Sequence, residues 1–343
     1  MTIPELNKQI EKGALSQCYL FYGEEDFLMR QKCEQIKTAV LSGGGEAPLD
    51  KTLEDFNFHT FVGKNFNISE AQDAIESFPQ MSERKFVVFK NTEVFKAAKG
   101  TVAEFFEKIL PNLPPYTHIV VMESEIDKRK KGLLSAFDKA GATVSFDRLK
   151  PNHLVMWLQT LFDAAEKRAL TSDIEYMVSI SSPSMAQLKC EFDKVVGYIG
   201  SREKITREDI DAVMTKSAEF KIFALIDNIV VGKTSGIFAE IKDMKEAREP
   251  AIVAFALILS RLSEIFMTKM LLDEGLKFND IKPYFEPQKQ WLVGKTIDQS
   301  RAFDAEFLRE MLAYGCELDY STKIGKINDY AALEIFAAAL SHR

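Results

Sequence analysis

The sequence predicts an α/β fold at its N-terminal end, a largely parallel sheet in three layers, followed by two all-α domains. Three observations carry this. Short apolar runs alternate with helical patterns up to about residue 149, as strand–helix units do when they build a parallel sheet. From about residue 150 the apolar residues recur only at helical spacing. The length, 343 residues with 46% apolar, is more than one core needs and enough for two or three. The expected divisions are 1–149, 150–216 and 217–343.

The first strand is Tyr19-Leu20-Phe21-Tyr22, apolar without alternation, as in a strand covered on both faces. Gly23 supplies a turn, and Phe27, Leu28, Cys33 and Ile36 follow at helical spacing. Ser42 to Pro48 reads as a loop, and a second β-rich stretch falls around Phe56-Asn57-Phe58-His59. Asn67 and Glu70 have capping-box spacing at the start of a helix that runs to Ser77. The segment Phe78 to Lys85 leads into the strand Phe86-Val87-Val88-Phe89. A helix over Val102 to Leu110 is ended by Pro111, Pro114 and Pro115. The strand Ile119 to Met122 precedes charged Asp127 to Lys131, which opens a helix through Leu133, Leu134 and Phe137, and a last strand covers Thr143 to Phe146.

Four helices are expected over 150–216. Leu154, Trp157, Leu158, Leu161, Phe162 and Ala165 mark the first. Ser172 with Glu175 caps the second, Leu188, Phe192, Val195, Val196 and Ile199 line the third, and Thr206 with Asp209 starts the fourth. Beyond 217 the stripes are Phe255, Leu259, Leu262, Phe266 and Met270, then Phe303, Phe307, Met311 and Tyr314, then Leu333, Phe336, Ala337 and Leu340.

Chemistry is mostly excluded. A phosphate loop after the first strand would need a second glycine and a lysine in register, but Gly23 is followed by Glu24, Glu25 and Asp26. Three carboxylates suit a helix dipole and repel a polyphosphate. An ordinary acidic first turn and a degenerate nucleotide site both remain open. Gly232-Lys233-Thr234 and Gly294-Lys295-Thr296 look like phosphate-loop tails, but they lack the leading glycine and the preceding strand, so both read as turns. Glu123, at a strand end, has no lysine loop to serve. No His-Glu-x-x-His or Gly-x-Ser-x-Gly occurs.

The balance of 44 basic against 51 acidic residues, net −7, gives none of the basic surplus that grips nucleic acid, so DNA contact is expected through partners. Lys128 to Lys131 could touch a phosphate backbone, but Glu123, Glu125 and Asp127 cancel much of their field, and a solvated helix start is the expectation. Cys18, Cys33, Cys190 and Cys316 fit no disulfide or zinc spacing, which points to core residues in a reducing cytoplasm. There is no signal-like N-terminal segment, and the longest apolar run, Ala251 to Leu259, is short of a membrane span, so a soluble cytoplasmic protein is expected.

Three segments in order resemble one family. Tyr19-Leu20-Phe21-Tyr22-Gly23-Glu24-Glu25-Asp26-Phe27-Leu28 looks like the opening strand and acidic turn of the delta subunit of the bacterial DNA polymerase III clamp loader. Phe78-Pro79-Gln80-Met81-Ser82-Glu83-Arg84-Lys85 is similar to that family's clamp-contacting segment, and Leu318-Asp319-Tyr320-Ser321-Thr322-Lys323-Ile324-Gly325 to its C-terminal pattern. The resemblance implies a three-domain AAA+ architecture. Residues 1–149 would be an AAA+-like domain with a degenerate nucleotide loop, 150–216 a helical lid and 217–343 a collar joining subunits into a ring.

It also implies a subunit of a DNA-directed DNA polymerase holoenzyme with no intrinsic activity and no cofactor. Such a subunit binds the ring-shaped sliding clamp, the beta subunit, and helps open it for loading onto primed DNA. ATP-binding motor subunits control when its contact is exposed. By position the clamp contact falls on Phe78, Pro79, Gln80, Met81 and Ser82. Gln80 stands where the family usually has leucine or phenylalanine, so Met81 is the better anchor of the two. The alternative is that Phe78 and Met81 are core residues and Pro79 only ends a helix. An AAA+-like scaffold of another complex, or an ATP hydrolase with an unconventional loop, are the competing functions.

Overall fold

Helix α1 (Ile3–Glu11) starts behind Thr2, whose side chain and that of Glu5 form a reciprocal capping box. Strand β1 (Cys18–Tyr22) and helix α2 (Asp26–Leu41) follow, then α3 (Lys51–Asn57), β2 (Phe58–Val62), α4 (Ile68–Glu76) and β3 (Lys85–Lys90). Helix α5 (Thr101–Ile109), β4 (Thr117–Glu123), α6 (Lys131–Ala140) and β5 (Gly141–Ser145) complete the α/β unit, Met1–Leu149. This computed structural model describes residues 1–42, 51–96, 100–182, 184–286 and 289–341.

All strand pairs are parallel, in the order β2-β3-β4-β1-β5. The middles of the central strands, Tyr19 to Phe21, Phe86 to Phe89 and Ile119 to Met122, are apolar without alternation because both faces are covered. Cys18, Leu20, Val87, Phe89, Ile119 and Val121 pack with Phe105, Phe106, Leu133 and Phe137 from α5 and α6. On the other face Tyr19, Phe21, Phe86 and Val120 are fully buried, and α2 packs on β3 and β4. Each such side chain contributes about 1.5–3 kcal/mol by leaving water. The expected three layers are present.

Several boundaries differ from the sequence expectation. Phe56 and Asn57 end a helix rather than open a strand: they finish α3, which is tied to α2 by Lys37 and Glu54, Nζ to Oε1 2.5 Å. The last strand starts at Gly141, not Thr143. A side chain at 141 would meet the Cys18 carbonyl oxygen at 1.8 Å, so this glycine lets the strand pair from its first residue. Asn67 caps α4 through the Ser69 and Glu70 N–H groups, but the Glu70 carboxylate takes the Asn67 side-chain amide, so the box is not reciprocal. Most of the expected 42–48 loop, Gly43 to Pro48, lies outside the described residues.

The charged run also differs in detail. α6 begins only at Lys131, and Asp127 to Lys130 form the turn before it. There the exposed Arg129 guanidinium bonds the Asp127 carboxyl and holds it down at about 2.

His118 is buried on β4 with Nδ1 3.0 Å from the Ser16 carbonyl oxygen. Burial, with a smaller push from Arg84, holds its pKa below 6.5. The unfolded chain therefore takes up a proton first as pH falls below 6.5, and the fold loses stability there. Buried Glu25 and Glu123, whose carboxyls are raised by burial, act in the opposite direction. The difference in urea midpoint between wild type and His118→Gln isolates the histidine. This difference is expected to shift in favour of the variant from pH 7 to pH 5, and a difference independent of pH would remove His118 from the account.

The second unit, Lys150–Arg343, is helical. It contains α7 (Pro151–Ala164), α8 (Thr171–Ile180), α9 (Met185–Ile199), α10 (Arg207–Val213), α11 (Ala218–Val231) and α12 (Thr234–Glu246). These are followed by α13 (Ala251–Asp273), α14 (Phe278–Ile281), α15 (Val293–Ser300), α16 (Ala305–Lys323) and α17 (Asp329–Ser341). The Thr206–Asp209 capping box forms as expected. α8 instead begins at Thr171 behind Leu170 with no side-chain cap, so Ser172 lies inside the helix.

Gly232 is the turn expected, in left-handed conformation at φ 74° after α11. Gly294-Lys295-Thr296 is not a turn. It lies inside α15, with Thr296 buried and Lys295 Nζ 2.7 Å from the Asp227 carboxylate.

α13 is the spine of this unit. Its 23 residues pack against α11, α15, α16 and α17 through Phe255, Ile258, Leu262 and Ile265. Of the expected stripe, Phe255 and Leu262 are buried, Leu259 and Phe266 half-buried and Met270 exposed. Among the described residues it is the one helix long and apolar enough, by length and composition, to cross a membrane. Yet buried Arg261 sits in its middle, Nη2 2.6 Å from Gln299 Oε1 and Nη1 2.9 Å from Glu264 Oε2.

Cys18 and Cys33 are core residues, and burial pushes the Cys33 thiol up to about 12. Cys190 and Cys316 are exposed, against the expectation for all four. Both sit on outward faces of helices, where packing does not decide the residue.

Candidate protein-docking site

α4 ends at Glu76, and Ser77 turns to extended backbone with ψ 148°. Pro79 then keeps Phe78 out of helical conformation, so the chain cannot continue the helix. The resulting loop runs to Lys85, and its two ends are tied together. Buried Lys85 reaches back from the start of β3, Nζ 3.0 Å from the Ser77 carbonyl oxygen and 2.7 Å from its hydroxyl. Burial holds the Lys85 ammonium below its usual value. Ser82 closes a small turn, its Oγ donating to the Arg84 carbonyl at 3.1 Å.

The middle is held by a residue far away in sequence. Fully buried Asn57, the last residue of α3, donates Nδ2 to the Gln80 carbonyl at 2.7 Å and accepts the Gln80 N–H at 2.8 Å. With the backbone fixed, the side chains point outward. Phe78 is 78% and Met81 83% exposed, Gln80 is exposed, and Pro79 and Ser82 are intermediate. The Phe78 ring leans on Tyr116, centroids 5.1 Å apart, and the Tyr116 hydroxyl bonds the Glu76 carbonyl at 2.7 Å. Met81 has φ 54°, a conformation uncommon outside glycine. The alternative reading of Phe78 and Met81 as core is thus overturned: with its ends and centre tied, the loop faces both away from the sheet.

The turn after β1 is built for packing. Gly23 has φ 136°, and a side chain there would meet the Phe146 carbonyl oxygen at 2.2 Å. Gly23 N–H donates to Glu123 O at 3.2 Å, and Glu25 N–H to Phe146 O at 2.9 Å. Two of the N–H groups that a phosphate loop would aim at its ligand are therefore spent on backbone carbonyls. Glu25 is buried, and burial raises its carboxyl. Glu123 does serve something. Its carboxylate accepts Thr92 N–H at 2.8 Å, Thr92 Oγ1 at 2.5 Å and Glu93 N–H at 3.2 Å, bracing the turn after β3. Among the described residues no group of three His, Cys, Asp or Glu could hold a metal ion.

Comparison with known families gives two matches to one family. The model described as DNA polymerase III, delta subunit, matches residues 19–147, and that for the delta subunit's C-terminal domain matches residues 219–340. The chain belongs to the DNA polymerase III delta subunit family.

Among relatives, this delta-family chain is similar to DNA polymerase III subunit delta of Bacillus subtilis, 26% identical, with 98% of the chain and 96% of the relative covered. Among solved structures it is similar to the Bacillus subtilis DNA clamp loader delta protein YqeN, with TM-score 0.69 and 26% identity over 99% of each chain. The α/β-then-helical fold of the delta-family chain is thus shared along the whole length of that protein. Of the loop residues, Phe78 to Ser82 were legible from the resemblance. Asn57, Lys85 and Tyr116, which fix the loop, were not. A lysine directly before the apolar run Phe86 to Phe89, and one asparagine between two phenylalanines, were the available signals.

Proposed function

We propose that this chain is a non-catalytic clamp-loader subunit that grips the ring-shaped sliding clamp, the beta subunit, through Phe78, Pro79, Gln80, Met81 and Ser82. In this reading it helps open the ring for loading onto primed DNA. The carrying observation is the display of Phe78 and Met81 on a loop tied at both ends and in its centre. Exposed apolar anchors held in place are what a partner's hydrophobic pocket recognises, and a few such side chains carry most of an interface's energy.

The same reading makes residues 1–149 AAA+-like, 150–216 a lid, and 217–343 a collar holding the chain among ATP-binding motor and other loader subunits in the cytoplasm. DNA is met through the complex, in keeping with the net charge of −7. The bonded N–H groups of Gly23 and Glu25 give a hydrolase reading no support. The test is titration of the isolated chain with purified sliding clamp and, separately, with ATP. A saturable clamp isotherm and no saturable ATP isotherm are expected; the reverse pair would sink the proposal.

A further inference from the structure

We infer that Asn57 is the positioning residue of the docking loop: its buried carboxamide fixes the Gln80 backbone and thereby sets the direction in which Met81 is presented. This rests on the reading of residues 78 to 82 as the clamp contact.

The geometry is a two-bond clasp. Nδ2 donates to Gln80 O at 2.7 Å while Oδ1 accepts from Gln80 N at 2.8 Å, so one side chain holds both polar groups of one residue's backbone. A carboxamide carries a donor and an acceptor side by side in one plane, whereas an ionised carboxylate supplies acceptors alone. The clasp is itself anchored. Asn57 has no exposed surface, and its helix is joined to α2 by Lys37, which pairs with Glu54 at 2.5 Å and lies 4.9 Å from the centre of the Phe58 ring.

The position of the clasp is informative. It falls on Gln80, one of the two residues between the exposed apolar side chains and directly before Met81, whose φ of 54° is strained for a side chain of its size. The exposed Gln80 side chain shows that its position is not kept for packing. What the clasp holds is the path of the chain. Released from it, Met81 would relax toward the extended region and its side chain would sweep a wider range, and the partner would then have to order it.

The experiment is a double-mutant cycle in the full chain, read as affinity for purified sliding clamp, together with hydrogen exchange at the Gln80 amide. Asn57→Ala is expected to weaken binding about five- to twentyfold in the wild-type loop but less than about twofold further in a Met81→Ala background, since coupled residues are not additive. Its Gln80 amide should exchange about tenfold faster while the β3 amides of Val87 and Phe89 keep their protection. Asn57→Ser, whose neutral hydroxyl can serve one of the two bonds without burying a charge, should fall between.

Binding within about twofold of wild type, or the same loss in both backgrounds, would overturn the inference, the latter because a merely structural role adds independently. If Asn57→Ala loses β3 protection, Asn57→Ser carries the same cycle. The underlying reading fails separately: Met81→Ala at wild-type affinity would remove the clamp contact, while the exchange at Gln80 still reports whether Asn57 holds the loop.

Discussion

Replacing Met81 by alanine is expected to weaken binding to the sliding clamp by about 1–3 kcal/mol, roughly 5- to 150-fold, with the urea midpoint of the chain unchanged. Both halves of the expectation follow from exposure. A side chain that is 83% exposed contributes little to the fold that its removal could take away. In an apolar pocket the same thioether gives up water along its whole length, and its flexibility suits an adaptable partner. Phe78→Ala in the same chain should add to the loss, but part of that addition is internal, because the ring also leans on Tyr116. Calorimetric titration with the clamp checks both, and an unchanged affinity for the double variant would take the loop out of the interface.

The second large effect is expected at Gly23. Gly23→Ala should destabilise the α/β unit by about 2–4 kcal/mol, through steric conflict and an unfavourable backbone conformation together. The neighbour cannot give way. Phe146 is buried, its N–H bonds Tyr22 O at 2.7 Å, and its carbonyl, 2.2 Å from the added carbon, already accepts from Glu25. Gly63→Ala is the control, because φ is also positive there, at 78°, with nothing within 4 Å. Chemical denaturation of the two variants separates crowding from conformation, and equal losses would show that the β1–α2 turn relaxes freely.

The core of the fold was legible because its signals are local. A run such as Tyr19 to Tyr22 is apolar at each position only when both faces are covered, and Thr206 with Asp209 caps a helix whatever surrounds it. What escaped depends on contacts between distant residues. Phe56-Asn57-Phe58 reads as a strand, but Phe56 and Asn57 finish α3, whose Glu54 pairs with Lys37 of another helix. Gly294-Lys295-Thr296 reads as a turn until Asp227 and the interior of the unit claim Lys295 and Thr296. In the loop proposed to dock, exposed Phe78 and Met81 were singled out by resemblance. The parts that hold them are single polar residues, Asn57 and Lys85, whose importance lies in partners 23 and 8 residues away.

The spine helix α13 has a consequence for how the protein is made. α11 precedes it, but α15, α16 and α17, which cover most of its apolar face, are synthesised after it. The α/β unit ends at Leu149 and can close while the ribosome is still working, whereas the core around α13 lacks most of its cover until α15 to α17 emerge. In that interval the nascent chain carries a stretch with the length and apolarity of a membrane span. Arg261 at its centre opposes insertion into a bilayer by about 2.5–3.5 kcal/mol. The charge that Gln299 and Glu264 accommodate in the finished protein thus also counts against bilayer insertion of the unfinished one.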